Sequence, residues 1–178
     1  MDKYEGAEYR LPPLDAIWDP AFKKPFVCYF LLLQIVGYFI RKYAWKSYVG
    51  FKSAFLRDLW MERIMTRSCL RYRLCNLTVC VIHSSISGVG SFVFFVTHQR
   101  VMFEETIHWY SPLAAQLPIF SMAYFVCDAV DMLRHEISKW TVELLIHHAA
   151  TMFAFGSAVL PHKFIPYAYW ALLMEMNR

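Results

Sequence analysis

Long, nearly uncharged apolar runs are the feature that most constrains this chain. Four of them approach the ~20 residues with which a helix crosses ~30 Å of hydrocarbon. Their apolar residues are continuous rather than alternating, and an open sheet could not satisfy its edge hydrogen bonds in lipid. The sequence therefore predicts an all-α, polytopic transmembrane helix bundle of about five segments, the last incomplete. The predicted helices cover residues 25–40, 74–97, 117–133, 141–160 and 164–176.

Composition supports the same fold class. Hydrophobic residues make up 58% of the 178-residue chain and aromatic residues 18%, which is more than an ordinary soluble domain contains. A net charge of only +4 gives no reason to expect a nucleic-acid partner. The five cysteines are scattered and form no C-x-x-C motif, so they indicate neither a zinc site nor a disulfide framework. We expect no cofactor and no resident metal.

Loop charges predict an orientation. The N-terminal stretch "MDKYEGAEYR" has no basic region directly before an apolar core, so we interpret the run at 25–40 as an uncleaved anchor rather than a signal peptide. Residues 41–73 contain nine Lys or Arg and only two acidic residues. The positive-inside rule then predicts a cytosolic loop at 41–73 and an extracytosolic N-terminal segment at 1–24. The basic loop either binds anionic lipid or only enforces topology, and the two interpretations are compatible.

Titratable side chains interrupt the membrane domain predicted for residues 74–178. The stretch "ELLIHHAATMFAF" carries Glu143, His147 and His148. Glu143, His147 and Thr151 recur at i, i+4 and i+8, so they share one helix face, and His148 points ~100° away from it. Asp128 lies in the preceding run. Because charged groups are expensive in hydrocarbon, an intramembrane ionisable residue is a functional hypothesis by default.

The depth of each polar group separates structural from functional interpretations. For Asp131, close to the predicted interface, we favour an Asp–His pair that locks two helices together, whereas for Asp128 and His147 we favour function. The run at 74–97 places His83 near the midplane, within "HSSISGVGS". Small residues four apart in that stretch favour close helix packing, with a groove for an acyl chain beside His83 as the alternative.

These residue types allow three kinds of chemistry. A histidine beside a carboxylate can act as a base or nucleophile toward a thioester, since imidazole titrates near neutral pH. The same groups could instead bind a lipid head group without turnover. A metal site is the third reading, but adjacent histidines point to different faces and rarely chelate one ion. The catalytic candidates are His147, His148 and Asp128, and the lipid-binding candidates are His83, Glu143 and Thr151.

The stretch "YFVCDAVDMLRHEISKWTVELLIHHAATMFAF" resembles the core of the TLC domain, which ceramide synthases and translocating-chain-associating membrane proteins share. Together, "VIHSSISGVGSF", "AYFVCDAVDM" and "LLMEMN" resemble one subfamily more closely, the TLC-domain proteins that regulate plasma-membrane phospholipid composition and fluidity. The resemblance covers roughly residues 70 to 177. It implies an all-helical domain that limits incorporation of long polyunsaturated chains into phospholipids.

Further expectations follow from this resemblance alone. Phospholipids or acyl chains would be the partners, and other membrane proteins or a second copy of the chain stay open. The location would be the plasma membrane, with the endoplasmic reticulum as the alternative. In ceramide synthases the paired histidines are catalytic, which nominates His147 and His148 for N-acyl transfer as the alternative function. The later acidic residues of those enzymes are not recognisable here beyond Glu175. Because the family continues past "LLMEMN", we expect a fragment or a truncated form.

Overall fold

A computed structural model describes residues 17–44, 67–135 and 139–175. Within these ranges the chain is helical and contains no strand, so the predicted all-α class is confirmed there. Four of the helices are long and apolar enough to cross a membrane, and α6 is a shorter apolar helix. The helices are α1 (Pro20–Tyr43), α2 (Arg67–Thr97), α3 (Gln99–Phe103), α4 (Pro112–His135), α5 (Lys139–Val159) and α6 (Ile165–Glu175).

Several helices are longer than the apolar runs that predicted them. Helix α1 begins at Pro20 because the Asp19 side chain accepts a hydrogen bond from the Ala21 amide at 2.9 Å, which caps the helix. Helix α4 begins at Pro112, and α2 already begins at Arg67, inside the predicted basic loop. Apolar runs mark the hydrocarbon crossing, whereas caps and polar turns extend the helix beyond it. Residues 45–66 of the predicted loop lie outside the described residues, and its cytosolic location stays a prediction.

Helix α4 is the centre of the bundle. Two thirds of its membrane-crossing window (67%) is buried, against 11% for α1. The long helices α1, α2 and α5 and the short α6 all pack against it. Its aromatic side chains belong to one core cluster with buried residues of α5 and α6, including Phe155 and Leu172. The outer faces of the surrounding helices are apolar, as in Leu31, Val89 and Phe153, which suits contact with lipid tails.

Small residues of α2 face the bundle interior. Ser87, Gly88 and Ser91 are buried. A Cβ atom at Gly90 would lie 2.9 Å from Leu117 Cδ2 of α4, closer than real Cβ contacts. The absence of a side chain at Gly90 therefore lets α2 approach α4, in agreement with the close-packing interpretation of this segment.

The long helices alternate in direction, so their termini gather at two ends of the bundle. At the Asp19 end, defined by Asp19, Thr97, Pro112 and Val159, the amide of Phe164 donates to the Ile107 carbonyl at 3.0 Å. At the opposite end, defined by Tyr43, His135 and Lys139 and called the His135 end, the Cys75 thiol approaches the Ile40 carbonyl at 3.9 Å. The loop charges predict that the His135 end is cytosolic.

Candidate functional site

A buried histidine–aspartate pair joins α4 to α5. His148 Nε2 lies 2.8 Å from Asp128 Oδ2, and the two residues are only 4% and 5% exposed. Asp128 is seven residues from the end of α4, and His148 is nine residues from the start of α5. At 1.5 Å per residue, both lie about 10–14 Å from the His135 end. The pair therefore lies within the hydrocarbon layer that these helices span.

Each member of the pair has one buried polar atom that no described residue satisfies. Asp128 Oδ1 and His148 Nδ1 make no hydrogen bond to any described residue. The Phe125 ring packs edge-on against the His148 ring, with centroids 4.8 Å apart. Leaving a buried donor or acceptor unsatisfied costs roughly 1–3 kcal/mol. Such atoms mark the places where a polar partner would complete the site.

His83 adds a second buried imidazole close by. Its Nε2 lies 3.1 Å from the Ser121 hydroxyl, and its ring stacks on Tyr124 with centroids 3.9 Å apart and an interplanar angle of 9°. It is close enough to Asp128 and His148 to interact with them electrostatically. The structure thus brings together three of the residues that the sequence singled out, on three different helices.

The other candidates on α5 are arranged differently. Glu143 is exposed and its carboxylate lies 4.0 Å from Lys139 Nζ on the same helix. The Thr151 hydroxyl donates to the backbone carbonyl of His147 at 2.9 Å, which is a local helix contact. His147 itself is half-buried. The hydrogen bond to Asp128 comes from His148, so α5 turns that side, rather than the face of Glu143, toward α4. Lipid binding by Glu143 and Thr151 stays a prediction.

An arginine that the sequence did not single out lies beside this site. Arg41 Nη1 of α1 is 2.6 Å from Asp131 Oδ2 of α4, one helical turn from Asp128. This ion pair joins two helices, as expected for Asp131, but its cation is Arg41 rather than the expected histidine. A cavity of about 10 Å³ lies next to it, lined by Gln34, Arg41, Asn76, Asp128 and Asp131 among others. Arg41 was missed because it lies at the edge of an apolar run, where a basic residue is usually part of the flanking loop.

The geometry favours acid–base or hydrogen-bonding chemistry. When the proton of a neutral imidazole is on the nitrogen that bonds a carboxylate, the other nitrogen carries the lone pair. In His148 that other nitrogen is Nδ1, which is then a base or an acceptor held in a fixed orientation. No three His, Cys, Asp or Glu side chains converge as they would around a metal ion within residues 17–44, 67–135 and 139–175. The hypothesis of a metal site therefore has no geometric support in those ranges.

Comparison with known proteins places the chain in a family. The model of the TLC domain matches residues 73–178. TLC domain-containing protein 2 of Danio rerio is 36% identical over 104 residues, which are 57% of this chain and 41% of that protein. The Mus musculus protein of the same name is 32% identical over 122 residues, covering 68% and 35% of the two chains. TLC domain-containing protein 1 of Homo sapiens is 29% identical over 106 residues, covering 60% and 42%.

These relatives are longer than the present chain, which spans about two fifths of their length. No solved structure matches it. The matched segment contains α4 and α5, and hence the His148–Asp128 pair, whereas α1 with Arg41 precedes it. Since the family match covers more than half of the chain and the helices suit a membrane, the protein is an integral membrane protein that belongs to the TLC-domain family.

Proposed function

We propose that this protein regulates the acyl-chain composition of membrane phospholipids, limiting the incorporation of polyunsaturated chains and so lowering membrane fluidity. The observation that carries the proposal is the buried His148–Asp128 pair, in which one polar atom of each residue has no hydrogen-bond partner among the described residues. The resemblance to the subfamily that regulates phospholipid composition supplies the lipid class.

Energetics support a functional role for the pair. Desolvating two ionisable groups costs several kcal/mol each, and replacing a buried ion pair with apolar residues is often neutral or stabilising. Helix packing alone therefore does not require a histidine and an aspartate at these positions. The unpartnered Oδ1 and Nδ1 atoms add to this cost unless a ligand satisfies them.

A phospholipid offers suitable complementary groups. Its acyl chains match the apolar outer faces of the helices, and one of its ester carbonyls could accept a hydrogen bond from His148 Nδ1 when the imidazole carries a proton on both nitrogens. We place the pair in the leaflet at the His135 end, because both residues lie about 10–14 Å from that end. The pair would then contact the part of a bound lipid that lies directly below its head group, where the acyl chains begin. We place the protein in the plasma membrane, with the endoplasmic reticulum as the alternative.

Acyl transfer is the second candidate, and one observation favours it. A histidine hydrogen-bonded to a carboxylate is the arrangement that orients an imidazole for base or nucleophilic catalysis. In this mode His148 Nδ1 would face a thioester carbonyl or accept the proton of an attacking amine. His147, which the resemblance nominates equally, is half-buried and directly precedes His148 in α5.

Lipid analysis of complemented cells tests both candidates. Cells lacking the protein would receive the wild-type chain, His148→Ala or Asp128→Asn, with Ile146→Ala as a control at an exposed position of α5. We expect the wild type and the control to lower phospholipid unsaturation, and the two pair variants to fail while the protein still accumulates. Equal unsaturation with all four chains at equal protein level would refute the proposal. A change confined to ceramide would favour acyl transfer instead.

A further inference from the structure

The cavity beside the Arg41–Asp131 ion pair reaches toward the buried histidine–aspartate pair. Its walls come from α1, α2 and α4, and no described residue of α5 lines it. The side chains of Arg41 and Asp131 are 35% and 16% exposed, whereas that of Asp128, which also lines the cavity, is only 4% exposed. The cavity therefore extends from the surface of the bundle at the His135 end to one side of Asp128.

Asp128 offers this cavity an unsatisfied hydrogen-bond acceptor. Its Oδ2 is bonded to His148 of α5, and its Oδ1 makes no hydrogen bond to a described residue. Because α5 contributes nothing to the lining, Oδ1 is the oxygen that remains available on the cavity side. A carboxylate accepts hydrogen bonds and donates none, so the group that completes this site is a donor. The cavity has room for a water-sized donor such as a hydroxyl.

The depth of Asp128 restricts which membrane lipid can supply a hydroxyl. Asp128 is seven residues from the end of α4, which places it about 10 Å below the His135 end, where the acyl chains begin. An intact diacyl glycerophospholipid offers only ester oxygens at this level, and these cannot donate to a carboxylate. A lysophospholipid, which lacks one of the two acyl chains, has a free glycerol hydroxyl there. The unsatisfied oxygen therefore favours a lysophospholipid over its diacyl parent.

Arg41 suits the phosphate of the same lipid. Its guanidinium lies back along α1, because a Cβ atom at Gly37 would be only 3.3 Å from Arg41 Nη1, and the absence of that atom leaves it room. Nη1 is bonded to Asp131. A guanidinium carries five N–H donors, so one bond to a carboxylate does not exhaust it, and its planar shape suits phosphate oxygens.

The spacing of these groups along α4 matches the lipid. Asp131 and Asp128 are three residues apart, a rise of about 4.5 Å. In a lysophospholipid only a few covalent bonds separate the phosphate from the free hydroxyl, which is a similar distance. Lys42 and Arg134 lie in the last turns of α1 and α4 at the same end. Their positive charge offsets the two carboxylates and attracts an anionic phosphate.

We propose that this cavity binds a lysophospholipid, whose free glycerol hydroxyl donates to Asp128 Oδ1 while its phosphate contacts Arg41. The inference rests on the proposed function, because a lysophospholipid is the form of a phospholipid from which an acyl chain is missing. It names the lipid species that the buried pair recognises, and it assigns Arg41 and the α1–α2 side of α4 to that recognition.

A matched pair of ligands tests the hydroxyl contact. The purified full chain in detergent micelles would receive equal amounts of lysophosphatidylcholine and its 2-deoxy analogue, which differ only in the free hydroxyl. Native mass spectrometry would count the lipid retained by the protein. A hydrogen bond to a charged acceptor predicts about tenfold or greater preference for lysophosphatidylcholine. The preference is a ratio measured on one sample, so a misfolded fraction that binds neither lipid does not change it.

Three variants locate the contact. Asp128→Asn replaces the charged acceptor with a neutral amide, and Asn76→Leu puts an apolar side chain in the cavity lining without removing either member of the His148–Asp128 pair. Both should lose most of the hydroxyl preference. Leu77→Ala, at the adjacent exposed position of α2, is the matched control and should keep it. Arg41→Gln should instead lower the preference for lysophosphatidylcholine over a monoacylglycerol, which has hydroxyls but no phosphate.

Equal retention of the two matched ligands by the wild type would overturn the inference, since water alone would then complete the site. An unchanged hydroxyl preference in both Asp128→Asn and Asn76→Leu would overturn the assignment to this cavity. Stronger retention of sphinganine, which has hydroxyls and no phosphate, would overturn the choice of a lysophospholipid. The two proposals fail separately, because the hydroxyl preference is measured on purified protein and the proposed function is measured as phospholipid unsaturation in cells.

Discussion

Replacing His148 with alanine removes the hydrogen-bonded partner that the described part of the chain provides for the Asp128 carboxyl group. Asp128 is 5% exposed and its other oxygen is already unpartnered, so neither solvent nor a neighbouring described residue can compensate. Breaking a buried charged pair by removing one partner costs about 3–5 kcal/mol. We therefore expect His148→Ala to lower the free energy of unfolding by about 3–5 kcal/mol.

A double-mutant cycle separates the contact from the loss of the side chains. Asp128→Ala should be destabilising as well, whereas the double variant removes both buried polar groups together and should cost less than the sum of the two single changes. Directly bonded residues show interaction energies of about 0.5–3 kcal/mol. The short distance of 2.8 Å and the burial of both groups lead us to expect a coupling of about 2–3 kcal/mol.

Reversible unfolding in mixed detergent micelles, followed by tryptophan fluorescence, would measure the four free energies. His147→Ala, one residue away and half-buried, is the matched control and should cost less than about 1.5 kcal/mol because it leaves the Asp128 bond in place. Additive effects of His148→Ala and Asp128→Ala would refute the reasoning, since they would show that the two side chains do not interact.

Three further predictions concern the rest of the bundle. Arg41→Ala should lower the free energy of unfolding by about 1–2 kcal/mol, because its pair with Asp131 is only partly exposed; Arg41→Lys should recover part of this loss in the same micelle assay. Gly90→Val should cost about 1–3 kcal/mol through overpacking against Leu117, and adding Leu117→Ala should relieve it; additive losses would contradict the contact. A thiol reagent that cannot cross membranes should label Cys69 only from the cytosolic side, and labelling from outside would reverse the predicted orientation.

The sequence alone was sufficient to predict the membrane-crossing helices. Hydrophobicity and length are local properties, and a run that can cross hydrocarbon must satisfy its backbone within itself. The same reasoning identified Asp128, His148 and His83 as polar groups placed where polarity is expensive. It missed α3 and the outer turns of α1, because caps such as Asp19 and short interfacial helices carry no apolar run.

Only the tertiary structure decided which of these groups meet. Helical spacing shows that Glu143, His147 and Thr151 share one face of α5, but it does not show which face turns toward α4. That rotation depends on how the side chains of two helices pack together, which is a property of the pair. The packing brings His148 to Asp128 and Arg41 of α1 to Asp131. The local sequence pattern determines which side chains share a face of a helix. Packing between helices that are distant in sequence determines which residues that face contacts.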